Sequence, residues 1–295
     1  MKNRIGFLCL GQAGGNIGQL FEQLGYNCLF VNTSKEDLNT LDVKYKYHIK
    51  NGEGCNHDRN KAIALVKADH TRILEEVKDK LRHQSIIYLV FSTSGGTGSG
   101  AAVILLDIMT SVFPDKKFGC ICILPDINEP VKANINALKC YSEISSTENI
   151  CSVFTLDNMK DDKFSINRKF VELFDGLLGV SSYTNVKGNI DNAEMYEILS
   201  ARGNAIITAS RGAGSQKIIE SLGEHIFADT EQDKKLMYLG LSLQESVEVS
   251  DITKVTGNPY DIFINYNPKR TLTILTGLSF PANRINQIAD KLNAE

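Results

Sequence analysis

One glycine-rich segment, Ser94-Gly95-Gly96-Thr97-Gly98-Ser99-Gly100, limits the possible folds of this chain more than any other part of the sequence. The run 86–91 before it is apolar and rich in β-branched and aromatic residues, as strands are, and the run 101–109 after it is typical of an enclosed helix. A strand that enters a helix through glycines leaves unpaired backbone N–H groups at the positive end of that helix. The segment therefore predicts a cradle for an anion such as a di- or triphosphate, and the alternative is a flexible loop without a ligand.

The spacing of these glycines separates the segment from two common nucleotide-binding motifs. The chain contains no Gly-Lys pair, which excludes a Walker-type P-loop. The spacing Gly-x-Gly-x-x-Gly is also missing, and no acidic residue ends the second predicted strand. A Rossmann-type dinucleotide-dependent enzyme is therefore a weaker alternative, which NADH retained on purification would support.

The composition is that of an ordinary globular protein. The chain has 295 residues, 42% of them hydrophobic, and a formal net charge of −3, so we expect about two domains and no direct binding of nucleic acid or of an anionic membrane. No apolar run approaches the length that crosses a membrane. The seven cysteines contain no Cys-x-x-Cys pair and fall mostly in apolar runs, which predicts reduced core cysteines and a cytoplasmic protein.

A second unit of strand, glycine turn and helix lies at the start of the chain. The apolar run 5–10 leads into the turn 11–16, Gly-Gln-Ala-Gly-Gly-Asn. In a doubly wound sheet such turns meet at the carboxyl edge, so the two units could hold two parts of one nucleotide. Taken alone, Asn16 could equally be a helix cap.

Both glycine-rich segments resemble those of the tubulin and FtsZ family of GTPases, and residues 94–100 match that family's signature position for position. The resemblance implies GTP or GDP as ligand with Mg²⁺, with Gln12 near the phosphates and the metal. It also implies an α/β fold: a doubly wound, mostly parallel GTP-binding domain (1–165), a long central helix with a catalytic loop (166–200), and a smaller α/β second domain (201–295). The residues that it assigns to nucleotide binding are Gly11, Gln12, Ala13, Gly14, Gly15, Asn16, Gly95, Gly96, Thr97, Gly98, Ser99, Glu129, Asn158 and Asp175.

The ribose contacts match the family only in part. Pro125 and Glu129 stand where FtsZ has a Pro and a Glu, but Ala133 replaces the Arg that follows, and neighbouring Lys132 is the candidate to supply its charge. The next strand ends in Asp157-Asn158, the reverse of the order in FtsZ, so either side chain could face the nucleoside.

The predicted central helix carries an apolar stripe at helical spacing, and Asp175 lies off that stripe. By resemblance Asp175 recognises guanine, whose N1–H and 2-amino group both donate to a carboxylate. Phe174 replaces an Asn of the family. It could stack on the base or pack in the core.

The loop after this helix resembles the FtsZ loop that enters the nucleotide pocket of the next subunit. Asn189, Asp191 and Ala193 match it, and Glu194 stands in for its last Asp. The resemblance makes Asp191 and Glu194 the catalytic carboxylates that orient the attacking water, so that the active site would be complete only between two subunits. A head-to-tail contact of this kind builds filaments. The structural alternative is that Asp191 caps a helix and Glu194 completes a capping arrangement.

The glutamine in the first loop and the partial match at the ribose loop make the chain resemble the plasmid- and phage-borne TubZ branch more than a cell-division FtsZ. The resemblance implies a self-assembling GTPase that positions DNA through a separate DNA-binding adaptor protein. An FtsZ-like division GTPase and a nucleotide-dependent scaffold without turnover are the alternatives.

Overall fold

A computed structural model describes residues 1–183, 185–230, 235–267 and 269–294. Its strands are β1 (Ile5–Leu10), β2 (Asn27–Asn32), β3 (Lys46–His48), β4 (Ile86–Ser92), β5 (Lys117–Leu124), β6 (Ser152–Asp157), β7 (Gly203–Ser210), β8 (Tyr238–Leu243), β9 (Asp261–Tyr266) and β10 (Thr271–Leu278). Its α-helices are α1 (Gly11–Gln23), α2 (Lys35–Asn39), α3 (Arg59–Lys80), α4 (Thr97–Val112), α5 (Val131–Ser146), α6 (Lys163–Leu178), α7 (Asn192–Ser200), α8 (Ser215–Gly223), α9 (Val249–Thr256) and α10 (Ala282–Asn293).

The described strands form one ten-stranded sheet in the order β3-β2-β1-β4-β5-β6-β7-β10-β8-β9. Neighbours from β3 to β7 are parallel, β10 is antiparallel to both β7 and β8, and β8 is parallel to β9. The central strands are buried along nearly their whole length because helices cover both faces of the sheet. The predicted fold class, a doubly wound, mostly parallel α/β sheet, is confirmed.

The sheet continues across the predicted domain boundary near residue 200. β6 pairs with β7 in the register Ser152↔Gly203 to Phe154↔Ala205. The last helix, α10, packs back on α5, where the ring centroids of Phe280 and Tyr141 lie 6.1 Å apart and Ile288 is fully buried. Residues from both ends of the chain therefore belong to one continuous sheet with its packed helices. The predicted domain boundaries at residues 165 and 200 stay a prediction.

The central helix α6 packs on the sheet through its aromatic residues. Phe174 is fully buried, with its ring centroid 5.9 Å from that of Phe7 and 5.5 Å from those of Tyr88 and Phe154. Edge-to-face pairs of this kind stabilise a core beyond the burial of their area. Phe174 therefore packs in the core, which was one of the two roles predicted for it.

All seven cysteines are free and buried, as predicted. Burial raises the pKa of the Cys122 thiol to about 12, so this group stays protonated at neutral pH. Among the residues that the structure describes, no helix is both long enough and apolar enough to span a bilayer.

Two glycines near the start of α1 let that helix pack closely against its neighbours. A Cβ on Gly14 would overlap the carbonyl oxygen of Val90 in β4, and a Cβ on Gly15 would lie 2.9 Å from the Leu41 side chain. Both glycines are buried, so helix α1 can lie directly against the sheet. Neither glycine lines the cleft described below, and their predicted contact with the nucleotide stays a prediction.

We expect Gly14→Ala to destabilise the protein by about 1–3 kcal/mol, because α1 must move away from β4 to admit the methyl group. The measurement is the free energy of unfolding from chemical denaturation. Gly223→Ala is the matched control: the residue ends α8 and an added Cβ meets no atom within 4 Å, so its effect should stay within about 0.5 kcal/mol. Equal stability of the two variants would contradict the packing role.

Candidate functional site

A cleft of about 540 Å³ lies at the carboxyl edge of the parallel strands. It is lined by residues at or just beyond the ends of five neighbouring strands, namely Leu10, Asn32, Ser92, Ile123 and Asn158. Ligands of open α/β sheets bind at this edge. The predicted binding residues that line the cleft are Gly11, Gln12, Ala13, Asn16, Gly95, Gly96, Thr97, Gly98, Glu129 and Asn158.

The N-termini of α1 and α4 meet in this cleft. Helix α1 begins at Gly11, whose φ of +68° lies in the left-handed region, and a Cβ there would lie 3.3 Å from the backbone nitrogen of Gly98. In the described part of the chain no side chain caps either helix. The first-turn N–H groups of both helices are therefore available to an anion, with two positive helix ends behind them. Asn16 lies inside α1 and is not its cap, which removes the capping alternative.

The loop before α4 is held by its own residues. The Ser99 hydroxyl donates to the carbonyl oxygen of Gly95, so its side chain stabilises the loop. Ser99 does not line the cleft, and its predicted contact with the nucleotide stays a prediction. The hydroxyls of Thr97 and Thr33 are hydrogen-bonded at 2.6 Å. Gly95 itself lines the cleft, and a Cβ added there would meet no protein atom within 4 Å. This space is where a bound anion would lie.

A second loop, residues 51–58, forms another wall of the cleft. Asn51, Gly54, Asn56 and His57 all have positive φ, which is costly for the three that are not glycine. Contacts from outside the loop hold this conformation: His48 Nε2 lies 2.8 Å from the Gly52 carbonyl oxygen, and the Asn136 and Lys132 side chains donate to the carbonyl oxygens of His57 and Asn56. Lys132 therefore supports the loop, while Lys163 and His57 are the basic residues that line the cleft.

The other end of the cleft carries Glu129, Asn158, Phe164 and Asn167. Glu129 accepts a hydrogen bond from Lys163 Nζ at 3.0 Å, and the Phe164 side chain is 70% exposed at the rim. Of the pair Asp157 and Asn158, Asn158 lines the cleft, because Asp157 is buried in an ion pair with Arg284.

Asp175 does not lie in the cleft, which corrects its predicted role with guanine. Its Oδ1 accepts hydrogen bonds from the Tyr26 hydroxyl at 2.8 Å and from Lys2 Nζ at 2.9 Å. Burial of the Tyr26 hydroxyl, together with its hydrogen bond to Asp175, raises the pKa of Tyr26. Twelve positions separate Asp175 from the start of α6, a distance of about 18 Å along the axis, so the residue lies near the opposite edge of the sheet. Phe164 and Asn167, in the first turns of α6, are among the cleft residues that were not predicted, and the signal for them was a polar and aromatic helix start directly after β6.

The predicted catalytic carboxylates form a capping box at the start of α7. Asp191 Oδ1 accepts from the backbone nitrogens of Ala193 and Glu194 at 2.7 and 2.9 Å, and Glu194 Oε2 accepts from the Asp191 nitrogen at 2.9 Å. The N-terminal amine, which precedes β1, donates to Asn192 at 2.8 Å, so α7 begins at the amino edge of the sheet. Neither carboxylate is among the described residues that line the cleft.

The cleft suits a magnesium ion that arrives with phosphates. The described residues contain no group of three or more His, Cys, Asp and Glu that could hold a metal by themselves. Gln12 and the carboxylates of Asp37, Glu53 and Glu129 line the cleft, against one lysine, Lys163. Mg²⁺ takes oxygen ligands, keeps several waters and commonly binds through one or two carboxylates and substrate phosphates. It would also offset repulsion between these acids and a phosphate chain.

Comparison with known proteins identifies the family of this chain. Residues 4–162 match the Tubulin/FtsZ family, GTPase domain. The chain is 33% identical over 287 residues to the tubulin-like protein TubZ of Clostridium botulinum C phage, an alignment that covers 94% of this chain and 80% of that protein.

Solved structures show the same fold. The crystal structure of C. botulinum phage c-st TubZ has a TM-score of 0.91 and 29% identity, with 100% of both chains covered. A GTPγS-form protofilament of Bacillus thuringiensis serovar israelensis TubZ has a TM-score of 0.85 and 18% identity, covering 99% of this chain and 92% of that one.

We expect Gly95→Ala to weaken binding of a nucleoside diphosphate by about tenfold without loss of stability, because the methyl group enters the open space beside the helix N-termini and meets no protein atom. Isothermal titration and thermal unfolding measure the two effects. In the contrasting variant Gly96→Ala, the new Cβ would lie 2.8 Å from Cys55 Cβ, so the melting temperature should fall. A Gly95→Ala protein that binds as tightly as the wild type would show that the anion lies elsewhere.

Proposed function

This chain belongs to the tubulin/FtsZ family of GTPases, and on that premise we propose that it binds GTP with Mg²⁺, polymerises head to tail into filaments, and hydrolyses GTP where two subunits meet. The observation that carries the proposal is the separation of two sites on one molecule. The anion cleft lies at the carboxyl edge of the sheet, and the Asp191 and Glu194 carboxylates lie at the amino edge.

The phosphates would bind at the junction of α1 and α4. The uncapped N–H groups of both helix starts donate to phosphate oxygens, and Gln12 supplies an amide oxygen near the metal. Gln12 and the cleft carboxylates would hold a Mg²⁺ ion together with the phosphates, and its charge would offset the charge that develops during phosphoryl transfer. The loop 51–58 closes this end of the cleft, where a third phosphate would extend.

The nucleoside would lie toward the start of α6. The Asn167 side chain offers both a donor and an acceptor, as guanine requires, and the exposed ring of Phe164 can cover a base. Glu129 and Asn158, which line the same end of the cleft, would accept from or donate to the ribose hydroxyls. These four residues replace Asp175 in the interpretation of specificity.

Hydrolysis would require the second subunit because the two acids of one chain cannot reach its own cleft. In a head-to-tail contact the amino edge of one molecule meets the carboxyl edge of the next, and such a contact does not close on itself. The capping box engages one oxygen of each carboxylate and thereby fixes Asp191 and Glu194 relative to each other before they meet the phosphate. A carboxylate there can orient and polarise the attacking water.

The cellular role that we propose is positioning of plasmid or phage DNA. It is supported by the similarity to a phage TubZ over most of both chains. With a net charge of −3, the chain offers no general electrostatic attraction to DNA, so a DNA-binding adaptor protein would connect filament and cargo.

The test of the proposed function is the rate of phosphate release per molecule as a function of protein concentration, with light scattering recorded in parallel. If the active site forms between subunits, turnover should be negligible below a critical concentration and should rise with the polymer signal. Steady turnover by dilute monomers would contradict the shared site. Polymer without phosphate release at any concentration would instead identify a scaffold without turnover.

We expect Asp191→Asn and Glu194→Gln to retain GTP binding and assembly but to lower turnover by about 10²-fold, because each removes a charge that directs the water. Both substitutions keep an acceptor for the capping box, so α7 should remain folded. Glu197→Gln is the matched control on the same helix, where the carboxylate accepts from the Tyr238 hydroxyl. Loss of GTP binding in the Asp191 and Glu194 variants, or unchanged turnover, would overturn the catalytic assignment.

A further inference from the structure

A buried ion pair connects the last helix to the strand ends beneath the cleft. Arg284 in α10 donates through Nε to Asp157 Oδ2 at 2.8 Å and through Nη2 to Asp157 Oδ1 at 3.2 Å and to the Pro125 carbonyl oxygen at 2.6 Å. The two side chains are 6% and 3% exposed. One guanidinium group therefore joins the carboxyl end of β6 to the residue that follows β5, across 127 and 159 positions of sequence.

Both strand ends lead directly into cleft residues. Asp157 Oδ1 also accepts from the Met159 nitrogen at 3.0 Å, which forms a turn around Asn158. The Asn158 nitrogen donates to the Leu124 carbonyl oxygen at 3.2 Å. On the other side, Pro125 begins the loop that carries Glu129. The fork of Arg284 thus fixes the bases of the two loops that line the nucleoside end of the cleft.

Helix α10 also contacts these loops through α5. Phe280 and Ile285 pack against the core cluster on that face of the sheet, and the Phe280 ring meets Tyr141 of α5. At the start of α5 the Asn134 amide donates to the carbonyl oxygens of Ile127 and Glu129 at 3.2 and 2.9 Å. A displacement of α10 would therefore affect the Glu129 loop through two sets of contacts, that of Arg284 with Pro125 and those of α5 with the loop.

Stability alone does not account for this arrangement. The cost of removing two charges from water offsets most of the attraction in a buried ion pair, and apolar residues of similar volume often serve as well. In addition, Arg284 Nη1 is buried without a hydrogen-bond partner among the residues that the structure describes, which is itself unfavourable. What a planar guanidinium supplies, and an apolar side chain cannot, is a fixed distance and angle between the two strand ends.

We propose that Arg284 is a positioning residue for the nucleoside half of the site, so that guanosine binding depends on how the last helix, α10, packs against the strand ends. The inference rests on the proposed function, since it assumes that a guanine nucleotide occupies the cleft. Arg284 touches no part of that nucleotide and acts through Asp157 and the Pro125 carbonyl on Asn158 and Glu129.

The experiment compares two probes on the full chain: GDP, which uses both ends of the cleft, and inorganic pyrophosphate, which uses the phosphate end. Each is measured by displacement of a fluorescent GDP analogue, and thermal unfolding is recorded for every variant. Arg284→Lys keeps the charge but loses the planar fork. We expect GDP to bind about tenfold more weakly and pyrophosphate to change by less than about twofold.

Two further variants separate positioning from a general loss of structure. Asp157→Asn alone and together with Arg284→Lys should each weaken GDP binding to the same extent as Arg284→Lys alone, because residues that act as one unit are non-additive. Arg202→Lys is the control, since Arg202 also donates to backbone carbonyl oxygens, those of Ser145 and Thr147, but on the exposed surface. It should leave both probes unchanged.

The proposal is overturned if Arg284→Lys binds GDP as the wild type does, or if GDP and pyrophosphate weaken equally as the melting temperature falls, which would indicate a structural role only. If the wild type itself fails to bind GDP, the proposed function fails and this inference fails with it. If the wild type binds GDP and the variants are unaffected, the inference alone is rejected.

Discussion

The structure depends on the meeting of two helix N-termini at one edge of a parallel sheet. Each of these helices, α1 and α4, follows a buried strand, and glycines at Gly11 and Gly98 let the two helix starts approach within van der Waals distance. In the described part of the chain no side chain satisfies their first N–H groups. Unpaired donors at two positive helix ends are unfavourable unless water or an anion binds there. The arrangement therefore favours a negatively charged ligand at this edge.

The same geometry makes the two edges of the sheet different from each other. Because the strands from β3 to β7 are parallel, all their carboxyl ends, and hence the cleft, lie at one edge. Helix α6 begins at this edge and, being about 24 Å long, carries the chain to the other one. The capping box of α7 then lies beside the N-terminus of the chain. A molecule with uncapped helix N-termini at one edge and paired acids at the other has the polarity that the proposed head-to-tail filament requires.

Of the residues predicted to bind the nucleotide, those in the two glycine-rich segments line the cleft more consistently than those predicted from later parts of the chain. Residues 94–98 and 11–13 line the cleft, and composition and order within a few residues were sufficient to find them. Gly14 and Ser99 belong to the same segments, but Gly14 packs against the Val90 carbonyl oxygen and the Ser99 hydroxyl supports the loop. These contacts depend on the folded structure and could not be predicted from the sequence. The short elements α2 and β3 were not predicted, since five and three residues carry too little periodicity.

At the nucleoside end, the deciding contacts are remote in sequence. Asp157 and Asn158 are adjacent and chemically similar, and the choice between them is made by Arg284, more than a hundred residues later. Asp175 was assigned to the base from a local match on α6, yet its partners, Tyr26 and Lys2, come from the first strand–helix unit at the other edge. The position of a helix end is determined by residues close to it in sequence. The position of a loop depends on contacts with distant residues, such as those of Arg284 with Asp157 and Pro125. The two halves of one cleft therefore differ in how far the sequence alone can reveal them, and they should also differ in how strongly distant parts of the chain can alter them.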